Sequence, residues 1–142
     1  MILDDLDRAI LAALRRDART SHAAIGREVN LTGPAVLARV RRLEEAGHIK
    51  GYRAMVSEDG LRAVVRVVTR PLPSGEAEFE AFVVSEPRIT HCFDVDGEDT
   101  MIMIVQCADA ADLRNLVVTL RSMPVVMRTV TNIAMAVIKE PS

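Results

Sequence analysis

Aromatic residues make up only 3% of this chain, with no tryptophan and one tyrosine, and cysteines number two. Cys92 and Cys107 are too few and too isolated for a disulfide framework or a zinc site, and each falls in an apolar, strand-like run. Both read as plain core thiols. His22, His48 and His91 lie far apart with no metal-ligand spacing, so neither a metal nor a cofactor is expected. No apolar run approaches the roughly 20 residues of a membrane span. Met1-Ile2-Leu3-Asp4-Asp5 has neither the basic start nor the apolar core of a signal peptide. That predicts cytoplasmic residence without a membrane partner. Lysine is almost missing as well: Lys50 and Lys139 are the only two, so arginine carries the positive charge.

What is present is enough for a core, since 49% of the 142 residues are hydrophobic. At this length two modules must each be compact. The net charge of -2 conceals a division. Residues 1–56 hold ten Lys/Arg against seven Asp/Glu, and the remainder holds eight against thirteen. A polyanion is drawn to the front part and repelled by the back. The predicted domains are 1–57, for polyanion binding, and 58–142, for assembly and ligand binding.

The stretch from Asn30 to Tyr52 reads as a turn, a basic helix and a short β-wing. Asn30 tolerates a left-handed backbone and can make a tight inter-helix turn. Thr32 caps the next helix, Pro34 falls in its first turn and Gly47 stops it. Val36, Val40 and Leu43 form the buried stripe, which leaves Pro34, Ala35, Ala38, Arg39, Arg41 and Arg42 on the outer faces. Small residues near the helix start permit close approach to base edges, and guanidinium groups grip phosphates or pair bidentately with guanine. A solvated helix face balanced by Glu44 and Glu45 is the bland alternative.

Upstream, Leu6, Ile10 and Leu14 predict a first helix opening at Asp4 or Asp5, with Asp7 in its first turn favourable to the dipole. Thr20 or Ser21 caps a second helix, His22 to Val29, with Gly26 at a close helix crossing. A strand from Ile49 to Ser57 completes a winged helix-turn-helix. The expected DNA-contacting set is Ser21, His22, Thr32, Gly33, Pro34, Ala35, Ala38, Arg39, Arg41, Arg42 and Lys50.

Leu6-Asp7, Ile10-Leu11, Leu14, Asp17 and Arg19, followed by Leu31-Thr32, Arg39-Val40-Arg41-Arg42-Leu43-Glu44, Gly47 and Ile49-Lys50-Gly51-Tyr52, closely resemble the Lrp/AsnC (leucine-responsive, feast/famine) family of prokaryotic transcription regulators. The run from Arg39 to Tyr52 is the specific part. Gly26 stands where that family usually has Ala, Asn30 where Gly is common, and Gly33 where a polar residue is more usual.

The back half reads β-α-β-β-α-β: a strand over 63–70, a helix over 76–85 with Phe79, Phe82 and Val83 inward, and strands over 88–96 and 101–107 joined by Asp96-Gly97-Glu98-Asp99. A helix over 110–120 and a long strand over 126–139 follow. The fold class is therefore α+β: a winged helix-turn-helix followed by a ferredoxin-like domain, RAM-type by the resemblance, with both helices on one sheet face. The last strand alternates apolar groups on both faces, so a monomer leaves a large apolar patch in water. Sheet-to-sheet homodimerisation follows, and a two-fold dimer suits a pseudo-palindromic DNA operator.

The resemblance also implies a small-ligand module that binds amino acids at dimer-dimer contacts in octameric or similar assemblies. Gly97, Glu98, Asp99, Thr129 and Thr131 are the matching effector-binding candidates. A turn offers backbone N–H groups to a carboxylate, an acidic side chain accepts from an ammonium, and threonine hydroxyls do either. Both pieces are also ordinary hairpin and strand chemistry. The expected protein is a regulator and not an enzyme. Two rivals stay open: a sirohaem-decarboxylase-like enzyme of the same outline, disfavoured by scattered histidines and few aromatics, and a metabolite-binding oligomer that has lost DNA binding.

Overall fold

The computed structural model describes residues 1–97 and 101–140. The chain divides into two compact units, Met1–Val56, with which Glu140 also groups, and Ser57–Lys139.

The N-terminal unit is three helices: α1 (Asp5–Arg16), α2 (His22–Val29) and α3 (Gly33–Glu45). Each opens on a side-chain cap. The Asp4 carboxylate accepts from the Asp7 amide, the Ser21 hydroxyl from the Ala24 amide, and the Thr32 hydroxyl from the Ala35 amide. Asn30 turns the chain between α2 and α3 with φ 57° and ψ 44°. Ile10, Ala13, Ile25, Val36, Val40 and Leu43 form the core. The α1 face is rotated from expectation: Asp7, Ile10 and Ala13 are buried while Leu6 and Leu14 are half-buried. Gly26 is needed for the turn itself, because a Cβ there would collide with the Leu31 carbonyl oxygen. The strand expected over 49–57 does not form, and that segment is irregular and mostly exposed. Among the described residues it has no strand to pair with, and a lone strand has no ladder to hold it.

The C-terminal unit contains β1 (Leu61–Thr69), α4 (Pro73–Ser85), β2 (Ile89–Asp94), β3 (Met101–Cys107), α5 (Ala110–Ser122) and β4 (Val126–Ile133). Its antiparallel sheet runs β2-β3-β1-β4, the ferredoxin-like order. Helix α4 starts three residues before the expected Glu76, because Pro73 fits a first turn where no N–H is required. Strand β4 ends six residues before the expected Lys139. Ile133 lies opposite Ala63, two residues from the start of β1, and after the Ala134 amide donates to the Arg62 carbonyl no partner strand remains.

Both helices lie on one face. Ala63, Val65, Val67, Met103, Val105 and Cys107 meet Phe79 of α4 and Leu113, Leu116 and Leu120 of α5. Register places Val64, Val68, Ile102, Ile104, Val130 and Phe93 on the other face, which no helix of this unit covers. Burial raises the pKa of both Cys92 and Cys107, keeping them as thiols.

Arg88 ties the end of α4 to the start of α5. Its guanidinium donates to both Glu86 oxygens at 2.8 and 2.9 Å and to Asp112 at 2.9 Å. Hydrogen bonding holds both acids below their ordinary values of 4.5 and 3.8; for Glu86 the Arg88 side chain is the main cause, for Asp112 the Ala108 amide followed by Arg88. A depressed carboxylate stabilises the fold above its unfolded pKa and loses that contribution as pH falls through the folded one. The melting temperature of the unit should therefore hold above pH 4.5 and drop progressively below it. Arg88→Ala should flatten that drop, and the calorimetric transition resolved for this unit, followed against pH, reads both.

Candidate functional site

Helix α3 has three sides. Val36, Val40 and Leu43 face the core, and Pro34, Ala38 and Arg41 project from the opposite side, all exposed. The third side is occupied by charge pairing with α1. Asp7 is 1% exposed, and its carboxylate accepts from the Asp4 amide, from Arg39 at 2.7 Å and from Arg42 at 3.2 Å. Arg39 also donates to Asp4 at 2.7 Å, leaving its side chain 24% exposed. Hydrogen bonds to Asp4 and Asp7 raise the Arg39 pKa, so the guanidinium is fixed in its charged form. Arg39 is thus braced against α1, whereas Arg42, 53% exposed and at longer distance, is held more loosely. Arg41 makes no ion pair or side-chain hydrogen bond among the described residues.

The other expected contact residues divide in a similar way. Ser21 and Thr32 are exposed caps at the starts of α2 and α3. Gly33 is half-buried, its α-carbon facing Ala23, and Ala35 is half-buried beside it in the first turn. His22 is half-buried and shares with Arg41 a shallow cleft of about 320 Å3. Lys50 is exposed in the irregular segment. Ser21 and Thr32 stand at the starts of α2 and α3 and His22 and Arg41 line one cleft, whereas Lys50 lines another pocket with Leu11, Leu14 and Arg15 near the end of α1.

Two contributors carried little sequence signal. Asp7 reads locally as a helix-start acid, and nothing local shows that it meets arginines 32 and 35 residues away. The Tyr52 hydroxyl donates to Glu44 at 2.7 Å, fastening the segment after α3 to its last turn. Burial first, then Glu44, pushes the Tyr52 phenol up to about 12 from 10.0. Whatever stability this phenol contributes is complete below pH 10 and lost as pH rises toward 12. With one tyrosine and no tryptophan, an absorbance titration follows this group alone. Glu44→Gln should bring its midpoint down toward 10, and an unchanged midpoint would remove Glu44 as a partner.

The effector candidates are spread across the sheet. Gly97 is exposed at the β2–β3 turn with φ 118°, while Glu98 and Asp99 lie outside the described residues. Thr129 and Thr131 are half-buried on the edge strand β4, opposite Val67 and Val65 on the helix-covered face. In the row Asp94, Met101, Val67, Thr129, strand β1 separates the hairpin from β4, so Met101 and Thr129 stand roughly 10 Å apart. Among the described residues, Gly97 and the two threonines are therefore not neighbours within one chain.

Residues 3–44 match the AsnC-type helix-turn-helix domain, and residues 62–142 match the Lrp/AsnC ligand binding domain. The leucine-responsive regulatory protein of Haemophilus influenzae is 33% identical over 97% of this chain and 87% of its own length. A transcriptional regulator of Mycolicibacterium smegmatis, AldR, is 34% identical over 82% of this chain and 71% of its own. Among solved structures, a Neisseria meningitidis transcriptional regulator in complex with L-methionine superposes with TM-score 0.93 at 27% identity, covering 99% of this chain and 95% of that one. A feast or famine regulatory protein from Mycobacterium tuberculosis, also complexed with L-methionine, gives TM-score 0.88 at 29% identity, covering 98% and 96%. With both units matched in order, this chain belongs to the Lrp/AsnC family of transcriptional regulators, a helix-turn-helix joined to a ligand-binding domain.

Proposed function

We propose that this protein binds a pseudo-palindromic operator as a homo-oligomer, through the outer ridge of α3, and that a small amino acid modulates it. The carrying observation is the unbraced, exposed side of α3. Pro34 and Ala38 leave room for base edges, and Arg41 supplies a guanidinium that no carboxylate among the described residues holds. Ser21, His22 and Thr32, with Lys50 after α3, supply phosphate-positioning groups and Gly33 and Ala35 permit close approach, with Arg42 available by exchange from Asp7 and Arg39 contributing through α3 orientation.

Assembly is supported by the uncovered sheet face, where six large apolar residues stand without a helix over them and Phe93 is 51% exposed. Two-fold packing there pairs two reading helices. Amino-acid sensing is supported by the two relatives solved with L-methionine, and a second copy would be needed to bring Thr129 and Thr131 to the Gly97 turn. The division of labour falls near residue 57. Its relatives are named as transcriptional regulators, which supports regulation rather than catalysis. No helix among the described residues is long and apolar enough to cross a membrane, and a regulator of DNA belongs in the cytoplasm.

Selection of genomic fragments by the purified protein, at one fixed salt concentration and with or without pooled amino acids, tests the reading. An enriched palindrome whose occupancy changes with amino acids is expected. Without enrichment in either condition, DNA binding falls.

A further inference from the structure

Within the N-terminal unit, the end of α1 and the chain that follows α3 form a cleft of about 410 Å3. Its apolar lining is Leu11, Leu14 and Ile49, all half-buried. Its charged lining is Arg15, Lys50 and Arg53, and none of these side chains has a hydrogen bond or ion pair among the described residues. Arg16 is also present but is committed to Glu28 at 2.8 and 3.0 Å. No carboxylate among the described residues lines the cleft. Tyr52 does line it, and with its hydroxyl engaged by Glu44 what it offers a ligand is its ring.

We propose that this cleft binds a nucleoside phosphate and that its occupancy opposes DNA binding. Arg15, Lys50 and Arg53 take the phosphate oxygens, while Tyr52 and the surface of Leu11, Leu14 and Ile49 take the base. Cations without a carboxylate to answer them call for an anion, and charge-assisted bonds to phosphate are among the strongest they make. An anion alone leaves the apolar lining in water, whereas a planar base covers it and stacks on the phenol ring. A duplex backbone meets the charges but keeps its bases paired, so it leaves that lining unused. The volume lies inside the roughly 300–1,000 Å3 range of small-molecule clefts. Leu14 and Tyr52 line this cleft and also the one shared by His22 and Arg41, so a bound nucleotide sets negative charge beside the reading ridge. The effect on DNA rests on the operator reading above; the binding itself does not.

Calorimetric titration of the full-length protein tests the site, with ADP as probe and adenosine and inorganic diphosphate as its two parts. Every base has a face to stack, so adenine is a fair representative. ADP should bind about tenfold or more tighter than either part, and Arg15→Gln combined with Arg53→Gln should weaken it by about tenfold or more, as for lost charged hydrogen bonds. Both arginines are exposed and unpaired among the described residues, so the calorimetric transition of the N-terminal unit should not move in that variant. Diphosphate binding as tightly as ADP would make the cleft a bare phosphate seat, and equal ADP binding by wild type and variant would put the nucleotide elsewhere. Either result, or no ADP binding by the wild type, overturns the site even where operator selection succeeds. Saturating ADP should lower wild-type operator affinity by about fivefold or more. An unchanged affinity would overturn the opposition to DNA, and a failed operator selection would leave the ADP titrations readable.

Discussion

Asp7→Ala should cost the N-terminal unit about 3 kcal/mol, because a buried carboxylate that anchors charged partners is worth far more than a surface pair. Three partners lose their acceptor at once: the Asp4 amide at the start of α1, Arg39 at 2.7 Å and Arg42 at 3.2 Å. The reciprocal half of the cap, Asp4 accepting from the backbone of residue 7, survives, so α1 still starts at the same place. What is lost is the part of the tie between α1 and α3 that runs through Asp7, leaving Arg39 on Asp4 alone. Because two units unfold in this chain, a single melting curve is the wrong instrument. Amide hydrogen exchange resolved along α1 and α3 reads the effect where it arises. Protection unchanged from wild type in both helices would mean that the brace contributes nothing.

Arg41→Ala should have the opposite profile: stability within about 0.5 kcal/mol of wild type, and operator affinity lower by about 1–3 kcal/mol, or roughly ten- to a hundredfold. Arg41 is exposed and unpaired among the described residues, so its truncation orphans nothing inside the protein. Binding measured at two salt concentrations separates its possible duties. Loss of a phosphate contact weakens all sequences alike and lowers the salt slope by about one, whereas loss of a base contact relaxes preference at one position. Arg39→Ala is the companion: it should weaken DNA binding only as far as it loosens α3. Operator affinity untouched by Arg41→Ala would move the reading surface off this ridge.

Much of this was legible along the chain because its determinants are local. Ser21 and Thr32 cap helices where a hydroxyl precedes an apolar repeat, and Asn30 takes the left-handed turn its side chain tolerates. The order of strands and helices after residue 60 followed from alternation and breakers. Failures occurred where the deciding partner is distant. Met135 and Val137 alternate with Ala134, Ala136 and Ile138 as a strand should, yet β1 has run out opposite them. Ile49 to Ser57 has strand composition without a neighbouring strand. Arg39 and Arg41 look alike as two arginines of one basic run, and only the position of Asp7, three helices' packing away, makes one a brace and leaves the other free.

The two lysines stand at telling places. Lys50 lies in the exposed, irregular chain that follows α3, and Lys139 lies in the irregular chain that follows β4. They bracket the C-terminal unit, Ser57–Lys139, which contains no other lysine. A lysine-specific protease acting on the native protein thus has two accessible bonds and no others, and it excises the ligand-binding unit as one fragment without a designed truncation.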